Sequence, residues 1–327
     1  MTGQVQILRG EEGVEEASRR LINGECVALP TETVYGLAAD AGNPAAVKAI
    51  FTAKGRPTDH PLIVHLASAA QLPEWASEVP NSAWQLTEAF WPGPLTLLLH
   101  KKSTVTPHVT GGLETIAMRV PSHPVFQAIL EQTGLGLAAP SANRYKKLSP
   151  TTAEQVARGM AGRISAVIDG GPCKFGLEST IIDLTQTIPA VLRAGPITRA
   201  ALEEALGQPV STPENHSIAV PGNVEAHYQP EARLQRVQTS ELSISPEGST
   251  AYLIWSDAAA AAVADFAKAG ENLLHLPAEP EPYGQALYTA LHQLDQLDVQ
   301  TILVEFTPTD ESWAAVNDRL RRAAGAG

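Results

Sequence analysis

Apolar and polar positions along this chain repeat with two periods, and the switches between them mark its elements. "GVEEASRRLING" (13–24) has apolar residues at helical spacing and ends on Asn23-Gly24, which predicts a helix leading into the apolar strand "ECVALP". "PAAVKAIFTAKG" (44–55) opens on Pro44 and stops at Gly55, the punctuation of a second helix. Strand-like runs follow at "PLIVHL", "LTLLLH", "TIAMRVP", "LGLAAPS", "AVIDGG", "STIIDL" and "AVLRAG". Helical spacing returns near residues 82–90, 123–132, 151–160 and 198–206. Several strands succeed one another with no helix between them, so this α/β sheet is predicted to be mixed rather than purely parallel.

The pattern fades over residues 207–248, where "GQPVSTPENHSIAVPGNVEAHYQPEARLQ" holds four prolines and reads as a linker. Beyond it come "AYLIW", the Ala-rich "DAAAAAVADFAKAG", "NLLHL", "GQALYTALHQLDQL", "TILVEF" and "SWAAVNDRLRRA". That β-α-β-α-β-α rhythm predicts a small parallel, Rossmann-like α/β domain. The expected organisation is a first domain over 1–207, a linker over 208–248 and a C-terminal domain over 249–327, which suits a length of 327 residues.

Charge sharpens this division. Residues 1–210 carry 17 Lys+Arg against 19 Asp+Glu, whereas 211–327 carry 6 against 16. Neither part has the basic face that tight binding to a polynucleotide backbone demands, so no stable nucleic-acid binding is expected. A small anion in a local pocket fits the cations of the first part better. No apolar run approaches the roughly 20 residues of a membrane helix. "MTGQVQILRGEEG" lacks the basic and apolar regions of a signal peptide, and the expected location is cytoplasmic. Cys26 and Cys173 have no metal-ligand spacing, so they read as reduced thiols and no protein-bound metal site is expected.

Candidate chemistry gathers where strands begin or end. In "KGRPTDHPLIVHL" (54–66), Lys54, Arg56, His60 and His65 crowd the mouth of a short apolar strand, as an anionic ligand would require. "LPTETVYGL" packs Thr31, Glu32, Thr33 and Tyr35 into one turn, either a capping turn or a ligand-facing cluster. Thr115, Ala117 and Arg119 share one face of "TIAMRVP", and Arg119 can hold a carboxylate in bidentate fashion. Ser141 and Asn143 follow a strand, Glu178, Ser179 and Thr180 precede one, and Arg193 ends one. Recurring cations and small hydroxyls at strand ends describe a pocket for a phosphorylated ligand. "GLGLAA" (134–139) is a weak dinucleotide match, because its glycines lie inside a strand-like run.

Seven blocks, "LPTETVYGL", "KGRPTDHPLIVHL", "FWPGPLTLLL", "MRVPSHP", "APSAN", "GLESTIID" and "LRAGPIT", occur in the order seen in the YrdC-like family. The chain resembles that family's long, two-domain threonylcarbamoyl-AMP synthase branch, densely over residues 10–206 and more loosely through "PGNVEAHYQP". The resemblance implies a twisted, mostly mixed α/β sheet with a concave, positively charged cavity. It implies a nucleotidyltransferase that makes threonylcarbamoyl-AMP and pyrophosphate from L-threonine, bicarbonate and ATP, with Mg2+ accompanying ATP. A downstream tRNA threonylcarbamoyl-transferase would use the product beside the anticodon. By the same resemblance Thr33, His65, Arg119 and Ser179 would form the threonine site. Arg56, His60, Thr115, Ala139 (through its backbone), Ser141, Asn143, Ser149, Arg193 and Tyr228 would form the nucleotide site. Lys54 and Arg56 would face the phosphates or carbamate as catalytic cations, and Tyr228 would cover the cavity as a lid.

Two positions depart from the family pattern. His60 stands where Asn is usual, and "NVEA" (223–226) replaces a commonly basic stretch. Two other functions compete. One is an RNA-binding module, disfavoured by the acidic balance and by 5% aromatic content. The other is a carbamoyl-transfer domain, whose relatives carry zinc-finger and acylphosphatase modules that are not seen here.

Overall fold

The computed structural model describes residues 3–213, 220–221, 227–242 and 248–325. The chain divides into two compact units: Met1–Tyr145, Pro150–Lys174 and Glu178–Asn223 form the first, and Lys146–Ser149, Phe175–Leu177 and Val224–Gly327 the second.

The first unit is built on strands β1 (Gln6–Leu8), β2 (Val27–Leu29), β3 (Gly36–Asp40), β4 (Ile63–His65), β5 (Leu95–His100), β6 (Thr115–Arg119), β7 (Leu137–Ala138), β8 (Ala166–Ile168), β9 (Thr180–Asp183) and β10 (Ala190–Arg193). They make one ten-stranded sheet in the order β1-β8-β2-β3-β7-β4-β6-β5-β9-β10. It is mixed, as the runs of strands without intervening helices predict: β4 and β6 are parallel, as are β5 and β9, while β5 and β6 are antiparallel.

Strand alternation sorts the side chains of this sheet. One face carries Val64, Leu97, Met118 and Ile182 into the main core, against Val47, Ile50 and Phe51 of the helix Pro44–Lys54 and Leu86 of the helix Asn81–Phe90. The helix Pro44–Lys54 is well punctuated. The Asn43 side chain accepts from the amides of Ala45 and Ala46, and Gly55 stops the helix at φ 65°, where a side chain would be strained. On the other face, the helices Gly10–Ile22 and Pro124–Thr133 pack over β2, β7 and β8. Among the described residues, the same face beneath β4, β5, β6, β9 and β10 carries a small apolar cluster, Ile63, Leu98, Ala117, Ile181, Ala190 and Leu192, closed by Val220. His65, Thr96, Thr115 and Arg119 alternate with that cluster, so the sheet itself sets a polar row on the thinly covered face.

The second unit carries β11 (Arg233–Val237), β12 (Thr250–Ile254), β13 (Leu273–His275) and β14 (Thr301–Glu305), all parallel and in the order β11-β14-β12-β13. Helices Asp257–Val263, Pro280–Asp295 and Ala314–Ala324 complete it. Two details differ from the sequence reading. β11 lies inside the proline-rich span read as linker, because its apolar residues Leu234 and Val237 are three apart and give no strand alternation to set against four prolines. The Ala-rich run is helical only to Val263, since alanine favours a helix without specifying which face it buries.

Candidate functional site

Arg119 lies at the centre of the polar row. β4 and β6 run parallel with His65 opposite Arg119, so both side chains emerge on the thinly covered face. Arg119 is 3% exposed, and its guanidinium is held from three directions. Nε donates to the Gly93 carbonyl at 3.0 Å, Nη1 donates to Thr33 Oγ1 at 2.9 Å, and Nη2 lies 2.6 Å from Glu32 Oε1. Proton bookkeeping fixes the hydroxyls beside it. Thr31 gives its one hydroxyl proton to the Val34 carbonyl at 2.6 Å, so Thr33 donates to Thr31 at 2.8 Å and accepts from Arg119. The turn "PTET" is thus a hydrogen-bonded relay ending on the arginine.

His65 is buried and its ring stacks on Phe126 with centroids 5.1 Å apart. Burial, with Arg119 adding like charge, pushes its pKa down to about 3, so the ring is neutral at physiological pH.

A second group lies where β5, β9 and β10 meet. Thr96 Oγ1 and Ser179 Oγ are 2.8 Å apart. Arg193 donates from Nη2 to Ser179 Oγ and from Nε to the Ser179 carbonyl, both at 2.9 Å, and from Nη1 to the Pro221 carbonyl at 2.9 Å. Arg193 reaches this face through an irregular step. Ala190 pairs with Asp183 and Val191 with Ile182, then Arg193 pairs with Ile181, so Leu192 is an extra residue in the ladder. Regular alternation would have turned Arg193 toward the main core with Val191.

The "KGR" cations are engaged within the chain. Lys54 is buried, and its ammonium donates to the Ser141 and Asn143 carbonyls at 2.6 and 2.7 Å. Burial and the neighbouring Arg56 pull its pKa well below the ordinary lysine value. Arg56 donates to the Pro61 carbonyl at 3.0 Å and lies 5.9 Å from the Phe51 ring centre. His60 meets the Tyr145 ring edge-on at 5.6 Å. Asn143 donates through Nδ2 to the Arg144 carbonyl at 2.8 Å, and the Ala139 amide is used by the Ile63 carbonyl. Thr115 pairs with His100 at the start of β6, while Ser141 bridges to Gly36.

Ser149 and Tyr228 belong to the second unit. The Ser149 carbonyl lies 3.3 Å from a ring nitrogen of His292. Tyr228 is buried at φ 60°, 5.8 Å from the Tyr288 ring and 5.5 Å from the Arg319 guanidinium carbon. Asn223, Val224, Glu225 and Ala226 of the linker motif lie outside the described residues.

Thr96 and Gly93 escape the sequence reading. Thr96 left one signal, a hydroxyl inside the apolar run "LTLLLH". Gly93 acts through a carbonyl, which no side chain announces. Among the described residues, no three His, Cys, Asp or Glu side chains gather as a metal site.

Fold and site together define an α/β protein of the YrdC-like class with a small parallel α/β unit after it. Residues 19–195 match the Sua5, YciO and YrdC family, described as "Telomere recombination". Residues 197–325 match "Threonylcarbamoyl-AMP synthase, C-terminal domain". The threonylcarbamoyl-AMP synthase of Bacillus subtilis is 39% identical over 326 residues, covering 95% of this chain and 93% of that one. The Pyrococcus abyssi threonylcarbamoyl-AMP synthase is 37% identical over 340 residues, covering 98% and 97%. The crystal structure of P. abyssi Sua5 complexed with L-threonine superposes with a TM-score of 0.86 at 34% identity, covering 98% of this chain and 97% of that one. The chain belongs to the threonylcarbamoyl-AMP synthase family, in its long two-domain form.

Proposed function

We propose that this enzyme condenses L-threonine, bicarbonate and ATP into threonylcarbamoyl-AMP and pyrophosphate. A tRNA threonylcarbamoyl-transferase would consume the product. The observation that carries this reading is the Arg119 guanidinium, buried at the centre of the polar row and held in a fixed orientation in a chain of this family. Such a fork binds a carboxylate with geometry as well as charge.

In this reading Thr33, His65, Arg119 and Ser179 surround threonine. Arg193 positions Ser179, and Lys54 sets the Ser141–Asn143 loop that, with Arg56, His60, Thr115, Ala139 and Ser149, takes the nucleotide. Lys54 therefore acts on ATP through the loop it ties. Mg2+ enters on the triphosphate. Capture of the amine as a carbamate and attack of the carbamate oxygen on the α-phosphorus both concentrate negative charge, so positioning and electrostatics do most of the catalysis. Tyr228 and the linker limit hydrolysis of the mixed anhydride, which would appear as more product per ATP consumed in wild type than in Tyr228→Phe. No helix among the described residues is long and apolar enough to cross a membrane, and the proposed location is cytoplasmic.

The direct test is incubation with ATP, bicarbonate and L-threonine, following pyrophosphate and the AMP adduct. Both should require threonine. Pyrophosphate released at the same rate without threonine would refute the assignment.

A further inference from the structure

Glu32 meets no substrate group in the account above, yet it is 4% exposed and in contact with the central arginine. Oε1 lies 2.6 Å from Arg119 Nη2, but off the line that a hydrogen bond needs, and among the described residues neither carboxylate oxygen accepts a hydrogen bond. Arg119 Nη2 and His65 Nδ1 are likewise buried without a hydrogen bond. Three polar groups, the Glu32 carboxylate, the Arg119 guanidinium and the neutral His65 ring, therefore lie together with hydrogen-bonding capacity unused. Buried polar atoms are costly in that condition, and a buried carboxylate most of all, so such a cluster marks a place built for a ligand's own donors and acceptors. The other titratable groups near Glu32, His123 and the Cys173 thiol, are partly or fully buried, and burial favours the neutral form of each by lowering the first pKa and raising the second.

The sign pattern selects the ligand. A simple carboxylate on Arg119 would lie against the like charge of Glu32. An α-amino acid carries an ammonium one carbon from its carboxylate, and that ammonium cancels the repulsion while filling the open oxygens. We propose that Glu32 binds the α-ammonium group of the amino-acid substrate, so that Glu32 and Arg119 together select a zwitterion over carboxylates without an amine. The inference rests on the threonine site proposed above and adds to it the group that recognises the reacting nitrogen.

The experiment uses the full chain and calorimetric titration with L-threonine and with its 2-hydroxy analogue, which keeps the carboxylate and replaces the amine. Wild type should bind threonine at least about 10-fold more tightly than the analogue, the lower end of what one hydrogen bond to a charged group supplies. Glu32→Gln should lose about 10- to 100-fold in threonine affinity and little for the analogue, bringing the ratio near one, with ATP affinity unchanged. Glu32→Asp should restore part of the ratio. A wild-type ratio retained in Glu32→Gln overturns the proposal, as does equal loss for both ligands. Equal affinity of wild type for the two compounds overturns it with no variant needed, while leaving threonine binding intact. If wild type binds neither compound, the threonine site itself falls.

Discussion

Two buried glutamates stand at strand ends in the two units, and they are treated in opposite ways. Glu305, 2% exposed, closes β14 and accepts from the Trp255 and Ser256 amides at 2.9 and 3.0 Å, from Thr239 Oγ1 at 3.0 Å and from the Ser256 hydroxyl. Both oxygens are satisfied, and two of the four donors are backbone amides leading into the helix Asp257–Val263. β12 and β14 are neighbours whose connections leave in different directions, which is where open parallel sheets bind ligands at their carboxyl ends. Here the protein fills that position with its own carboxylate. Glu32, in the first unit, accepts no hydrogen bond among the described residues, and the cation beside it has other work. The fold type is thus a poor guide to which unit carries a site. The state of satisfaction of a buried charge is a better one.

The comparison can be broken, beginning with the largest effect. Arg119→Lys keeps the charge but removes the fork that Gly93, Thr33 and Glu32 hold. We expect kcat/KM for threonine to fall on the order of 100-fold in a folded protein, read from product formation against threonine concentration. Glu305→Ala should do the reverse. It leaves four donors without an acceptor and should cost about 2–3 kcal/mol of stability in denaturant unfolding, with threonine affinity unchanged. An intact melt with impaired threonine binding would invert the contrast drawn here.

His65 sharpens the same contrast through pH. Its folded pKa, near 3, lies below the ordinary value of 6.5, so the unfolded chain binds a proton that the folded one refuses. Stability should therefore fall as pH drops from 6.5 toward 3, by up to about 1.4 kcal/mol per unit from this group. His65→Gln should flatten that slope in unfolding titrations at pH 7 and 5, and an unchanged slope would assign the loss to other groups. The smallest effect is reserved for a control: the exposed Lys268–Glu271 pair, 3.8 Å apart, should tolerate Lys268→Ala within about 0.5 kcal/mol.

Much of the first unit's sheet is legible in the sequence because its strands are apolar runs between strong punctuation, as at Pro44 and Gly55. The shared face of Thr115 and Arg119 follows from counting by twos along one strand. Partners brought from afar are not legible. Lys54 reaches two carbonyls nearly ninety residues away, and backbone oxygens leave no trace in a sequence. β3 hides behind a polar turn, since Gly36 and two alanines give no apolar alternation. Glu32 stands among small hydroxyls that look like turn chemistry, and nothing in "PTETV" announces that its carboxylate would go unanswered.

The uneven step at Leu192 has a consequence for how this chain can vary. A strand assigns each residue to a face by parity, and the extra residue changes that parity for whatever follows it in β10. Arg193 meets Ser179 because the count to it is off by one. Loss of Leu192 would set Arg193 directly after Val191, two places from Ala190 and on the same face, opposite Ile181 as it is now. The shorter strand would give up the leucine of the small cluster and keep the guanidinium on the side of Ser179. For this strand, the identity of Arg193 is under a stricter constraint than the number of residues before it.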